Sequence, residues 1–231
     1  MQVSGSEYTI DLSSVTGIDG NYELKLNASG SDIEDSAGGD MMIDAMDQFM
    51  VDLVGPTVES VVVNDGSAQR SVVTSITVTF SEDVGVVDAS HFELTNTTTN
   101  TQVVPGVAYE VINGRTVATL TFSGSDFIGG SLADGRYTLT TLSTITDAAG
   151  NQLDGDRDGS GGDNATDEFF RFFGDFDGDG DVDRRDFSAF RQTFNLNSSS
   201  SSYNAAFDFD GDGDVDRRDF SAFRVNFGRR L

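Results

Sequence analysis

Between Gly55 and Phe173 the alternation of apolar and polar positions marks out short strands. In SITVTFS (75–81), Ile76, Val78 and Phe80 alternate with Thr77 and Thr79, the period of a strand with one face buried. VAYEVI (107–112) and RTVATLTFS (115–123) flank Asn113-Gly114. That pair readily takes the two positive φ angles of a type I′ turn, so the spacing predicts a hairpin. RYTLTTLST (136–144) follows Asp134-Gly135, and TVESVVV (57–63), HFEL (91–94) and EFFRFF (168–173) bring the strands to about seven. Helical periodicity of similar strength is absent from this stretch. Some seven strands in roughly 118 residues predict a β-sandwich long enough to bury a core.

Near the C-terminus the period changes. Phe187, Phe190 and Phe194 fall at i, i+3 and i+7, one face of a helix of about three turns. Phe220, Phe223 and Phe227 repeat the pattern. Each stripe ends a segment, DFDGDGDVDRRDFSAFR, that occurs at 175–191 and again letter for letter at 208–224. Two helices with matching stripes are expected to pack on one another as a nearly two-fold pair. The serines 198–202 between them read as a flexible connector.

The first 54 residues partly repeat the end of the strand-rich region. DGNYELKL (19–26) parallels DGRYTLTT (134–141), DSAGGD (35–40) parallels DAAGNQ (147–152), and DQFMVDL (47–53) parallels DEFFRFF (167–173). The domains expected are therefore 1–54, the C-terminal part of a truncated sandwich repeat, then 55–173, a sandwich, then 174–231, a small α module. A few strands without partners are marginal alone. The expectation is that the chain is the C-terminal portion of a longer tandem protein.

Charge narrows the choice of partners. The formal charge of −25 disfavours nucleic acid and anionic membrane surfaces. Residues 171–231 hold 12 Asp and 9 Arg, a net of −3, which leaves −22 for residues 1–170. The absence of cysteine excludes disulfides and thiolate metal sites. No apolar run approaches the roughly 20 residues of a membrane span, and the N-terminus lacks the pattern of a signal peptide.

The two acidic loops, 175–186 and 208–219, carry the chemistry. Each places aspartate at positions 1, 3, 5, 7, 9 and 12 with glycine at 6, the pattern of an EF-hand calcium loop. Two carboxylates about 4 Å apart repel by roughly 4 kcal/mol near a protein surface, and a central dication turns that repulsion into attraction. Asp175, Asp177 and Asp179 are the expected side-chain ligands of the first loop, with Asp181 through its backbone carbonyl, Asp183 directly or through water, and Asp186 closing the shell. Asp208, Asp210, Asp212, Asp214, Asp216 and Asp219 take the same places in the second. LDGDRDGSGGD (153–163) offers a weaker third candidate in Asp154, Asp156 and Asp158; its position 12 is Ala165, which cannot ligate through a side chain.

TVTFSEDV (77–84) and YTLTTLSTITDAAGNQLDG (137–155) resemble the bacterial immunoglobulin-like domains of secreted and surface proteins. The doubled loop and helix, with Asp at position 12, resemble a type I dockerin module over residues 174–228. The fold class expected is thus mainly β with a small α C-terminal module: an Ig-like β-sandwich followed by a two-repeat calcium loop–helix domain. The resemblance implies two Ca²⁺ ions, with a possible third near 154–163, and a cohesin-like or other cell-surface protein as partner. It also implies a secreted or cell-surface bacterial location, with attachment to polysaccharide-degrading machinery as one use of such a module. In the family, loop positions 10 and 11 and the helix face near positions 17, 18 and 22 meet the cohesin. Here the loop positions are Arg184, Arg185, Arg217 and Arg218, with Arg191 and Arg224 at position 17. Partner recognition and charge balance, near the loops or against the acidic sandwich, are both open for these arginines.

Nothing in the sequence points to catalysis. His91 is the single histidine and reads as a structural strand residue, and there is no cysteine to act as nucleophile. Sugar platforms favour aromatic faces, and tryptophan is absent. Neither a small-molecule substrate nor membrane insertion is expected. Two alternatives stay open beside docking: a calcium-stiffened adhesin or surface-layer stalk without a cohesin, and a targeting tail for an enzyme encoded upstream.

Overall fold

The computed structural model describes residues 2–4 and 7–231, with side chains from residue 9 onward. It separates into two compact units, residues 1–54 and 55–231. In the first, β1 (Gln2–Ser4) pairs with β2 (Glu7–Tyr8), and β3 (Gly20–Leu26) forms an antiparallel hairpin with β4 (Ala45–Val51).

The second unit begins with eight strands: β5 (Val58–Val63), β6 (Ser75–Phe80), β7 (Phe92–Asn96), β8 (Thr101–Val103), β9 (Gly106–Ile112), β10 (Arg115–Thr121), β11 (Gly135–Thr141) and β12 (Ala165–Arg171). They form two four-stranded antiparallel sheets, ordered β5-β6-β10-β9 and β12-β11-β7-β8. The period-2 patterns set which side chains enter the core. Ile76, Val78 and Phe80 of β6 are wholly buried, as are Ala118 and Leu120 of β10, and Leu94 and Leu139 face them from the other sheet. Asn113 and Gly114 both take positive φ, 53° and 78°, and close the β9–β10 hairpin with Arg115 opposite Ile112. Gly135 has φ 151° and lies so close to Asn96 that an added Cβ would fall 2.5 Å from its side chain. This close approach lets Asn96 donate to the Tyr137 hydroxyl at 3.0 Å, and that hydroxyl donates to the Ala133 carbonyl at 2.8 Å.

Four expectations need correction. β8 is an eighth strand, too short at three residues for its alternation to be read. The last strand ends at Arg171, and the rings of Phe172 and Phe173 leave the sheet for a second apolar cluster. His91 ends the 3₁₀ turn Ala89–His91 rather than lying in a strand, and its Nδ1 accepts the Asp88 N–H at 3.2 Å. The serine run is tied down by turns: Ser198 N–H donates to the Gly213 carbonyl at 2.9 Å and Ser200 N–H to Asn197 at 2.8 Å.

Two helices complete the chain, α1 (Arg184–Thr193) and α2 (Arg217–Asn226). Their phenylalanine stripes meet: Phe190 lies 4.9 Å from Phe223 and 5.7 Å from Phe220, centroid to centroid. Phe207, Val182 and Val215 fill the space beneath. The two repeats exchange partners across their pseudo-two-fold. The first loop pairs with the C-terminal tail (Gly228 N–H to Val182 carbonyl, 2.7 Å), and the second with the segment after α1 (Asn195 N–H to Val215 carbonyl, 2.7 Å).

Candidate metal centre

Each acidic loop is built outward from its first aspartate. Asp175 is fully buried and accepts the N–H of Gly178 on Oδ1 (2.6 Å) and of Gly180 on Oδ2 (2.9 Å). Asp208 accepts from Gly211 (2.8 Å) and Gly213 (3.0 Å), and also from the Tyr203 hydroxyl (2.7 Å). Gly180 and Gly213 hold φ of 85° and 91°, which bends the chain sharply at position 6. The last aspartate closes the circle: Asp186 accepts from Phe176 and Asp183, both at 2.8 Å, and Asp219 from Phe209 (2.7 Å) and Asp216 (2.6 Å).

Position 9 has a second duty. Asp183 and Asp216 are the N-caps of α1 and α2, each accepting the N–H two residues on at 2.6 Å, with Asp186 and Asp219 completing capping boxes. The loop and the helix start are therefore one structure. At position 5, Asp179 and Asp212 accept the N–H of Asp181 and Asp214 at 3.1 Å.

The carboxylates converge as a cation site requires. One oxygen from each of Asp175, Asp177 and Asp186 lies within 4.8 Å of the others, as do those of Asp208, Asp210 and Asp219, and of Asp181, Asp183 and Asp186. At position 7 the side chain is also involved. Oδ1 of Asp181 and Oδ1 of Asp214 are buried without any hydrogen-bond partner, where sequence alone suggested only a backbone role. Buried anionic oxygens without a donor are costly unless a cation neutralises them, and Arg230, 3.8 Å from the other oxygen of Asp181, serves only the first loop. The donors are all hard oxygens, a set that suits Ca²⁺ or Mg²⁺ rather than softer metals.

Electrostatics agree. Burial, followed by the charges of Asp186 and Asp179, pushes the Asp175 carboxyl up to about 6. Burial likewise raises Asp186 and Asp219, and Asp214 is raised by burial and by its neighbours Asp212 and Asp216.

The third candidate loop also gathers its acids, but differently. Asp154 is buried and accepts from Asp158 (3.1 Å) and Gly159 (2.9 Å). Asp163 joins Asp154, Asp156 and Asp158, accepting the N–H of Gly155 (2.7 Å) and Asp156 (2.9 Å). The EF-hand spacing directs attention to position 12 and so overlooks Asp163 at position 10; only the local folding back of the glycine-rich turn brings it in.

The helical module is seated on the sandwich. Arg171, 4% exposed, is held by Asp134 at 2.6 Å, and the same carboxyl group accepts the Phe173 N–H (2.7 Å) and the Asn226 amide of α2 (2.7 Å). Arg171 also lies over the rings of Phe173 and Phe209, 5.4 and 5.9 Å from their centroids. Position 4 of each loop touches the sandwich directly, Gly178 against Ala68 and Gly211 against Gly129. None of these contacts is signalled by local pattern.

The six arginines of the helices are all exposed. Among the described residues only Arg218 of the six makes an ion pair, with Asp210 at 3.3 Å, and Arg224 lies 5.8 Å from the centre of the Phe220 ring.

Residues 173–224 match the family model of the dockerin type I domain, and residues 52–161 match that of a bacterial Ig-like domain. The chain thus carries a bacterial Ig-like domain followed by a dockerin type I domain, both non-catalytic modules. No curated protein matches it significantly. Among solved structures, surface layer protein SbsC, domains 1-6, is 29% identical over 50% of this chain and 13% of its own, with a TM-score of 0.33. This chain therefore spans far less than two thirds of that protein. A C-terminal interface mutant of a type II Cohesin-X-Dockerin complex from Acetivibrio cellulolyticus is 18% identical over 63% of this chain and 90% of its own, with a TM-score of 0.26. Among the described residues no helix is long and apolar enough to cross a membrane.

Proposed function

We propose that this chain is the calcium-dependent docking end of an extracellular, multidomain bacterial protein. In this reading residues 174–231 form the docking module, 55–173 the Ig-like spacer and 1–54 the closing strands of a preceding repeat. Asp175, Asp177, Asp179, Asp181, Asp183 and Asp186 hold one Ca²⁺, and Asp208, Asp210, Asp212, Asp214, Asp216 and Asp219 hold another. Asp154, Asp156 and Asp158 are weaker candidates for a third. The cation's contribution is charge: it neutralises clustered carboxylates so that the loops close and the helices are positioned. The partner is a cohesin-like or other cell-surface protein that meets the arginine-bearing helices.

One observation supports this above the rest. Two loops 33 residues apart fold their carboxylates inward in nearly the same hydrogen-bond pattern, and each leaves one buried oxygen without a protein donor. Calcium binding is then coupled to folding, because the carboxylates oppose the compact state on their own. Calorimetric titration of the purified chain should register two tight equivalents of Ca²⁺. A chelator should abolish the helical circular dichroism while leaving the sandwich, whose apolar cluster is separate, largely intact. Unchanged helical signal after chelation would refute the reading.

A structural role without a cohesin is the second reading. It draws support from the Asp134–Arg171–Asn226 junction, which would let calcium stiffen a stalk. A saturable protein partner at the cell surface, bound only in calcium, separates the two.

A further inference from the structure

We propose that α1 and α2 present a cationic face with an apolar cleft, built for a protein partner whose surface is acidic around a protruding Phe, Leu or Ile side chain. This rests on the docking reading and specifies the chemistry of the partner.

The first observation is the segregation of charge. The last 61 residues hold nine of the fourteen basic side chains of a chain whose net charge is −25. The first and last aspartates of each loop turn inward: Asp175, Asp186, Asp208 and Asp219 are buried. The arginines turn outward. Arg184, Arg185, Arg191 and Arg217 are exposed and make no ion pair among the described residues, although twelve aspartates adjoin them. Among the described residues the acidic sandwich does not form ion pairs with them either. Two bound dications would bring residues 171–231 from −3 to +1.

The second observation is spacing. Arg184, Ser188 and Arg191 fall at i, i+4 and i+7 of α1, and Arg217, Ser221 and Arg224 at the same places in α2. The small serine leaves the surface between the two arginines low. At 1.5 Å rise per residue, the arginines of each helix stand about 10 Å apart along one face.

The third is the cleft. Phe187, Phe220, Phe223 and Phe227 line a depression of about 210 Å³ with Arg224 at its rim, and Phe227 is 44% exposed. A depression of this size accepts one apolar side chain, and arginine beside phenylalanine is the composition of interface anchors. Nucleic acid and extended anionic polysaccharide fit less well. They offer no side chain for the cleft, and their length carries them toward the sandwich, residues 55–170, whose net charge is −12. A folded partner places a few carboxylates locally, where only the arginines meet them.

The test uses the full chain in saturating Ca²⁺ and a fluorescent peptide with six Asp/Glu residues flanking a central Phe-Leu pair. Two control peptides replace the acids by lysine or the Phe-Leu pair by alanines. The acidic apolar peptide should bind at least about tenfold more tightly than either control, and should weaken about tenfold between 50 and 300 mM NaCl. R184E/R217E and R191E/R224E should each lose most of that binding, and F227A should erase the preference for Phe-Leu over alanine. Glutamate at a helix N-terminus is favourable, so R184E/R217E keeps the fold; calcium uptake and helical dichroism on the same samples verify it. Equal binding of a control peptide, or full binding by either charge-reversal variant, overturns the proposal. So does concentration-dependent self-association that the same variants abolish, which would assign the face to a second copy. If the wild-type chain takes up no calcium, the docking reading fails first. Normal uptake with no acidic preference defeats this inference alone.

Discussion

The loops at 175–186 and 208–219 and the loop at 154–163 begin with the same pattern and end differently. All three open Asp-x-Asp-x-Asp-Gly, and in all three the glycine N–H donates to Oδ2 of the first aspartate, at 2.9, 3.0 and 2.9 Å, with φ near 90°. In the two C-terminal loops position 12 is an aspartate that completes the capping box of a helix, and that helix carries a phenylalanine stripe into a core. In the third loop the chain passes into β12, and Asp163 closes the turn locally. The opening motif sets the first turn. Whether a carboxylate cage is tied to a folding unit depends on the element into which the loop leads.

Removing the first aspartates breaks the comparison most severely. D175A/D208A should lose both calcium equivalents and the helical dichroism, while the corresponding D154A should leave both in place. D134A comes next. It leaves Arg171 buried without its partner and frees the Asn226 amide, and because Asp134 is partly exposed the expected cost is about 2–3 kcal/mol in chemical denaturation. A loss below about 0.5 kcal/mol would mean that the seat of α2 on the sandwich is energetically idle.

The pH dependence is smaller. With its carboxyl raised to about 6, Asp175 holds a proton that stabilises the fold when no cation shares the loop. That contribution is complete below about 3.8 and is lost as pH rises through about 6. Calcium has to displace the proton, so affinity should fall as pH drops, about tenfold between pH 7 and pH 5, or about 1.4 kcal/mol. Calorimetry across that range checks it, and a flat profile would contradict the burial assigned to Asp175. D163A should give the smallest effect, about 1 kcal/mol on sandwich unfolding from two N–H groups left without an acceptor. It should not alter the calcium stoichiometry of the helical module.

A second pair of regions shows how far local sequence reaches. Tyr22 opposes Phe49 in the β3–β4 hairpin and Tyr137 opposes Phe169 in β11–β12, both pairs stacked, at 5.7 and 5.2 Å. The match of DGNYELKL with DGRYTLTT anticipates this register. Burial is not shared: Leu139 is enclosed by a facing sheet, whereas Leu26, Met46 and Met50 of the first unit are exposed. Strand alternation, the Asn113-Gly114 turn, the loop spacing and the phenylalanine stripes were legible because each depends on neighbours within a few residues. β8 was too short to show a period.

By itself the sequence determined the two acidic loops, the helices that leave them and the face each helix turns to the other, since glycine conformations, Asx hydrogen bonds and a 3.6-residue period are local properties. Only the tertiary structure decided that Asp134 joins Arg171 to α2, that Asp163 enters the third loop, and that Asp181 and Asp214 bury a free carboxylate oxygen. It also decided that the arginines of both helices face outward while Asp175, Asp186, Asp208 and Asp219 are buried. These outcomes depend on distant segments brought together by burial of apolar surface, which has no direction of its own and leaves no period along the chain.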